Sequence, residues 1–498
     1  MKKFNLKEFN FKIFFQSLKS NLPLIILALA DVVIMAIPFY MENYIPNIYK
    51  NLGLDASEYS QAGAIYGFVS LPCYFLGSYI GDKFKSKNLI IISIFLSTLL
   101  GIWYISLPIS AAYSGESQYT AIQLYIIFAG FAFATCALFW GPLWKTVKNH
   151  GTEKLEGDHK EKKVGRNNGY QGMFNGLIGL TLALFGTLLM QLGAGYVGAI
   201  PDISINGQSV NTGFFILVVT YVALTAVSGI LAIFYIKSED DRPSEVSFSV
   251  KNIIQVLGNV HIWLLSFLVL GVYMLQMGLG SYVNYMSNIF LIPAVVVMII
   301  GIFRTYVMRF LISGWFGKAA DKSHSYILWI CIGLFIGLLF ILLGVLLPGF
   351  NNDFDPTKNK TAGTIIQVVA CLNLVLLGGV TWALVTIRWS PLGAELNVQN
   401  QNYAAAINVV SVIAFTPDAF FKQIKAAIES KYWMYLKDEN GVLTDTKVAS
   451  QQGNQIILGV VIGFALFGVI SGIILYILLY RKSDKFIFRK KQKFVQNI

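Results

Sequence analysis

The chain has 498 residues, of which 55% are apolar and only 13% charged, against roughly 25% charged residues in an ordinary soluble domain. This excludes a soluble globular enzyme, and 14% aromatics with so few charges exclude intrinsic disorder, whose composition is polar and charged. The net charge of +12 would suit a nucleic-acid partner, unless the position of the basic residues gives another reason for them.

Residues 1–20 interleave Lys2, Lys3, Lys7, Lys12 and Lys19 with Phe4, Phe9, Phe11, Phe14 and Phe15. This is too charged for the apolar core of a cleavable signal and reads as an amphipathic segment on the membrane surface. Apolar stretches of about 20 residues, the length a helix needs to cross a ~30 Å hydrocarbon core, then recur twelve times. The predicted spans are 21–43, 58–80, 89–110, 120–143, 168–193, 213–237, 261–285, 291–316, 326–348, 363–387, 402–422 and 455–480.

With the N-terminus inside, the cytoplasmic segments hold 28 of the 38 Lys and Arg residues and the outer ones 8; Arg304 and Arg309 lie within a span. Cytoplasmic loops carry the basic excess, so both termini are predicted to be cytoplasmic. The charge is thereby explained as a topology signal, without a nucleic acid. The tail 481–498, with Arg489-Lys490-Lys491 and Lys493, reads as an anchor to anionic lipid. The polar outer segment 423–453 is long for a connection in a compact bundle and is expected to form a short helix over the outer mouth.

Six spans, a basic connection and six more spans point to a duplication. Tyr44-Ile45-Pro46-Asn47-Ile48-Tyr49 resembles Tyr285-Met286-Ser287-Asn288-Ile289-Phe290 at an offset of 241, and Asp82-Lys83 matches Asp321-Lys322 at 239. Tyr170 and Asn175 match Tyr403 and Asn408 at 233. The expected organisation is a segment 1–20, a six-helix half 21–237, a linker 238–260, a second half 261–480 and a tail 481–498.

The loop Gly314-Trp315-Phe316-Gly317-Lys318-Ala319-Ala320-Asp321-Lys322 resembles the G-x-x-x-D-[RK] signature of the major facilitator superfamily. Glycine permits close helix approach, and a carboxylate after the turn can accept from a helix N-terminus. Its first-half counterpart has Ser78 at the leading glycine position, followed by Gly81, Asp82 and Lys83. The resemblance covers the whole chain, and it implies an all-α integral membrane protein of twelve transmembrane helices in two pseudo-symmetric halves that rock around a central site. Trp389-Ser390-Pro391-Leu392-Gly393-Ala394-Glu395, with Thr416-Pro417-Asp418, is similar to bacterial members related to sugar-derivative and organic-anion carriers.

An ionisable side chain near the bilayer centre is costly and so a functional candidate. Asp31 lies roughly 15 Å into the first span at 1.5 Å per residue, and is the candidate for proton coupling; the competing reading is a fixed ion pair with an arginine. Arg304 and Arg309, five residues apart, are predicted to point about 140° apart on an α-helix. Arg304 is the candidate for an anionic group and Arg309 a gating or packing residue. The seventh span carries a stripe of Tyr273, Gln276, Gly280 and Asn284 that must face protein or water. Asn175, Asn408 and Ser411 extend the polar inventory, and Trp140 and Trp382 offer flat walls for a sugar ring or plain packing. Gly317, Asp321, Lys322, Asp82 and Lys83 are assigned to the gating loops. Glu42, Asp418 and Arg388 are read as salt-bridging residues near span ends. Gly172, Gly176 and Gly179 mark helix contact.

Other chemistry is lacking. There is no G-x-x-x-x-G-K-[ST] run, and Gly193-Ala194-Gly195-Tyr196-Val197-Gly198 has no strand–turn–helix context. Cys73, Cys136, Cys331 and Cys371 have no CxxC spacing, and His150, His159, His261 and His324 no ligand spacing. The expectation is a secondary carrier, possessing no enzyme constellation, cofactor or metal, that moves a small organic anion or sugar derivative by alternating access, with proton symport open. It would sit in the cell membrane as a monomer, with its solute and the bilayer as partners. The rivals are an efflux carrier for apolar compounds, with few fixed charges in its cavity, and a non-transporting sensor on the same scaffold.

Overall fold

The computed structural model describes residues 19–151, 164–193, 203–237, 257–349, 360–398, 402–437 and 443–483, apart from positions 44, 46, 47, 55, 115, 116, 206 and 207. The segment 1–20, the linker 238–260 and the tail 481–498 lie mostly outside them, as do Ala194 to Gly198 of the glycine run.

The first crossing starts with α1 (Leu22–Ile34). Pro38 lacks the N–H that an α-ladder needs, and the helix passes there through a π-turn at Ala36–Tyr40, where Tyr40 N bonds Met35 O at 3.1 Å. A 3₁₀ turn at Met41–Asn43 completes it. Eleven further helices among the described residues are long and apolar enough to cross a membrane. They are α2 (Ser57–Gly81), α3 (Ser86–Ser114), α4 (Gln118–Asn149), α5 (Val164–Met190), α6 (Thr212–Tyr235), α7 (Val260–Asn288), α8 (Val295–Ala320), α9 (Tyr326–Leu346), α10 (Lys360–Ala394), α11 (Tyr403–Lys431) and α12 (Gln451–Tyr480). The twelve segments form two six-helix halves. In the first half α1 packs on α5 and α6, and in the second α7 packs on α12 and α9.

The halves meet along two seams, α5 against α8 and α2 against α11. A Cβ on Gly317 of α8 would lie 2.2 Å from the carbonyl oxygen of Gly165 on α5, and one on Gly67 of α2 would lie 2.4 Å from that of Asp418 on α11. Only glycine permits this approach, and in a bilayer such backbone proximity replaces the missing hydrophobic drive.

Polarity is inverted relative to a soluble protein. Leu99, Phe234 and Leu346 stand on the outside at 64%, 75% and 70% exposure, while Asp31, Arg304, Arg309 and Arg388 are buried. Hydrocarbon solvates the first set, and the second faces the bundle interior, where intramembrane charge belongs.

Several helices overrun their predicted ends. α4 continues to Asn149, α8 to Ala320, and α10 beyond 387 to Ala394 through a short helix at Ser390–Ala394. The expected short helix within 423–453 is not formed as such. Instead α11 extends to Lys431, and an antiparallel hairpin follows, β3 (Trp433–Lys437) with β4 (Leu443–Ala449), Trp433 opposite Ala449. Aromatic and β-branched residues in that stretch favour strands over helix. Among the described residues two further strands, β1 (Ile203–Ile205) and β2 (Gln208–Val210), make a small hairpin before α6.

Candidate functional site

Both halves line one cavity of about 420 Å³. The N-terminal half contributes Asp31, Tyr40, Tyr66, Tyr74 and Trp140. The other half contributes Tyr273, Gln276, Arg304, Arg309, Trp382, Arg388, Phe415 and Asp418. At one end the lining reaches Glu42, Lys422 and Lys425, far from the Lys/Arg-rich loops; at the other it closes on Trp140, Trp144 and Arg388.

Arg304 and Arg309 both face this cavity, contrary to the 140° separation expected of an α-helix. The cause is a π-turn over Phe303–Val307, in which Met308 N bonds Phe303 O. An i→i+5 bond brings residues five apart onto one face. Trp382 Nε1 donates to Arg304 O at 2.8 Å, and the Trp382 ring lies 4.6 Å from the Arg309 guanidinium carbon. Trp382 thus ties α10 to the π-turn.

Arg388 is the main residue that sequence reasoning missed. Read as a span-end residue, it is 5% exposed, because α10 runs six residues past it. The apolar run from Trp389 to Ala394 was the available signal. Its guanidinium carbon sits 5.1–5.7 Å from the rings of Trp140, Trp389 and Phe415, in cation–π range. Among the described residues Arg304 Nε and Arg388 Nε and Nη1 have no hydrogen-bond partner.

Asp31, 3% exposed, accepts from Asn175 Nδ2 at 2.6 Å and Gln171 Nε2 at 3.2 Å, both on α5. Among the described residues no basic nitrogen stands within ion-pair distance of it, while Arg309 and Arg388 are in electrostatic reach. The fixed ion pair considered from the sequence is therefore not formed. Gln171 was not anticipated.

On the opposite wall Tyr273 OH donates to Asp418 Oδ1 at 2.6 Å, which brings Asp418 into the site rather than to a span end. Gln276 lines the cavity, and its Oε1 is without a partner among the described residues. Trp140 Nε1 donates to Ser411 Oγ at 3.2 Å. Asn408 is not in the cavity. It lies wholly buried at the α2–α11 seam, where its amide fills the space beside Gly77 and Gly141. Asn284 belongs to α7 and Asp82 follows α2, but their side chains are outside the described residues.

The residues assigned from the sequence to gating loops separate into two groups. Asp321 Oδ2 accepts from Arg166 N of the other half at 2.9 Å, and Oδ1 from Tyr326 OH at 2.7 Å. Burial pushes this carboxyl up to about 6 from 3.8, against the hydrogen bonds from Tyr326, Arg166 and Gly165 that favour its charged form. Gly317 makes the close contact beside it. Lys322 and Lys83 are exposed, and Lys83 Nζ donates to Tyr79 OH at 3.3 Å. No cluster of three or more metal-ligating side chains is found among the described residues.

No family model matches the chain. It is 28% identical to an uncharacterized Mycoplasma pneumoniae protein, the MG294 homolog, over 93% of this chain and 92% of that one. It is 22% identical to the inner membrane protein YihN of Escherichia coli, over 87% and 89% of the two chains, and 24% identical to the inner membrane protein YqcE of the same organism, over 74% and 78%. Among solved structures it superposes on the major facilitator superfamily transporter FucP in the outward conformation, with TM-score 0.61 and 13% identity, over 90% of this chain and 99% of that one. A bacterial homologue of the iron transporter ferroportin, in an outward-facing state, gives 0.57 at 11% identity over 92% and 98%. At such identities the shared property is the architecture, and the chain has the twelve-helix fold of the major facilitator superfamily.

Proposed function

We propose that this protein is a secondary carrier that moves a small organic anion across the membrane by exposing the central cavity to each side in turn. One observation carries the reading: three buried guanidiniums, Arg304, Arg309 and Arg388, face one cavity between the halves. Charges so placed are expensive, and an anion that accepts the unpartnered N–H groups of Arg304 and Arg388 offsets that cost. The outward-state neighbours support the alternating-access part. The same three charges speak against efflux of apolar cations, which they would repel.

In this reading Asp31 is the proton-coupling residue. Ionised, it is the internal counter-ion of Arg309 and Arg388, held by Asn175 and Gln171; protonated, it leaves both guanidiniums to the solute. Tyr273, Gln276, Trp140 and Trp382 shape the remaining wall. Asn175 acts through Asp31, and Asn408 acts at the seam between the halves. Asp321, with Gly317, closes the end near the basic loops, which we place in the cytoplasm together with both termini. The halves 21–237 and 261–480 rock about the linker 238–260, and the protein works as a monomer in the cell membrane.

The test is uptake of radiolabelled organic anions into proteoliposomes, with an inside-alkaline pH gradient as the driving force. Accumulation by the wild type, lost in Arg388→Gln and uncoupled from the gradient in Asp31→Asn, is expected. Uptake of apolar cations and no anion would overturn the reading.

A further inference from the structure

The three cavity arginines are not one cluster. Arg309 and Arg388 are within electrostatic reach of each other and of Asp31, so that end of the cavity carries one net positive charge while Asp31 is ionised and two once it is protonated. Arg304 stands apart. Among the described residues no carboxylate forms an ion pair with it, and Tyr306 is its electrostatic neighbour. It precedes Arg309 by five residues, one π-turn along the helix axis. Thr305 and Gln276 line the same cavity, and Thr305 Oγ1 and Gln276 Oε1 lack partners among the described residues. Between the two charged ends lies a ring, because Trp382 bonds the Arg304 carbonyl and stacks on the Arg309 guanidinium.

We infer that the solute is a short organic dianion whose two anionic groups sit at opposite ends of a carbon core, one on Arg304 and the other on Arg309 and Arg388. This rests on the carrier reading of the cavity. Desolvating two anionic charges is costly unless each meets its own partner, and here each end of the cavity offers at least one net positive charge. A monoanion would leave one of these ends unpaired in a low-dielectric site. A compact dianion such as inorganic phosphate would reach one end alone, while a carbon core suits the indole face between them. The cavity volume is in the range of small-molecule sites.

Binding to the purified full-length protein, followed by its intrinsic tryptophan fluorescence, tests this inference. The probes are straight-chain α,ω-dicarboxylates of three to seven carbons, monocarboxylates of the same lengths, and inorganic phosphate. The expected result is an optimum chain length at which the dicarboxylate binds about tenfold or more tightly than the matched monocarboxylate, a factor of ten being about 1.4 kcal/mol. In Arg304→Gln that ratio falls to about one, and in Arg304→Lys it is partly retained. Equal binding of mono- and dicarboxylates, tighter binding of phosphate, or a ratio unchanged in Arg304→Gln would overturn the inference and leave the anion carrier standing. Should no anion bind to the wild type, both fall. The wild-type chain-length profile decides the matter even where a variant fails to fold.

Discussion

Asn175 on α5 holds the carboxylate of Asp31 on α1 with a 2.6 Å hydrogen bond, although 144 residues separate them. A buried carboxylate satisfied by neutral amides, with arginines near but not in contact, can exchange a proton without breaking an ion pair. Asp31→Asn is therefore expected to keep the fold and to exchange solute, while losing the dependence of uptake on a pH gradient. Proteoliposome uptake and counterflow measured between pH 5.5 and 8 check it, and gradient-driven accumulation by the variant would exclude Asp31 as the coupling residue.

Arg388 offers a planar fork that a lysine cannot reproduce. Removing one partner of a buried charged contact costs roughly 2–5 kcal/mol, so Arg388→Gln should weaken anion binding at least about 30-fold. Arg388→Lys should fall between the variant and the wild type. Titration calorimetry with the best-bound anion reads both.

At the seam near the basic loops, a methyl group on Gly317 meets the Gly165 carbonyl oxygen at 2.2 Å. Gly317→Ala is expected to force α5 and α8 apart and to destabilise the closed arrangement by about 1–3 kcal/mol, the usual cost of overpacking. The readout is a lower melting temperature together with faster thiol labelling at Ser313→Cys, since Ser313 lies on the same seam, fully buried. Unchanged labelling would show that the contact does not hold that end shut.

Asp321 titrates near 6 rather than 3.8 because burial disfavours its charge. A carboxyl with a raised folded-state value contributes stability that is complete below its ordinary value and lost as the pH rises through 6. The melting temperature of the wild type, relative to Asp321→Asn, should thus decline between about pH 4 and pH 7 and then level off. Partial solvent access limits the swing to about 1 kcal/mol. A difference independent of pH would remove Asp321 from the titrating groups.

Much of the architecture was legible because a bilayer permits so few solutions. Stretches of about 20 apolar residues must be helices, and the duplicated Asp-Lys loops marked the two halves. Asp31 and Arg304 were identifiable because charge stands out in such stretches. Arg388 was hidden by a span boundary drawn one residue before it, and Asp418 by a depth estimate that treated α11 as ending near 422 rather than at Lys431. The pairing of Asp31 with Gln171 and Asn175 depends on contact between two helices, which no local pattern encodes. The common orientation of Arg304 and Arg309 escaped because every helical-wheel argument assumes 3.6 residues per turn, and a π-turn breaks that assumption.

That π-turn has a consequence for release. Its additional residue sets the phase of everything in α8 on the far side of Phe303 relative to Arg309. Were the turn to rewind to α-helical bonding, Arg304 would swing by about 100° around the axis, the angle of one residue, and leave the cavity without any change of rotamer. In the proposed carrier, affinity for the solute would then be a property of backbone winding, supported by the bond from Trp382 to the Arg304 carbonyl. A carrier of the proposed kind must let go of what it binds, and here a slip of one residue would suffice.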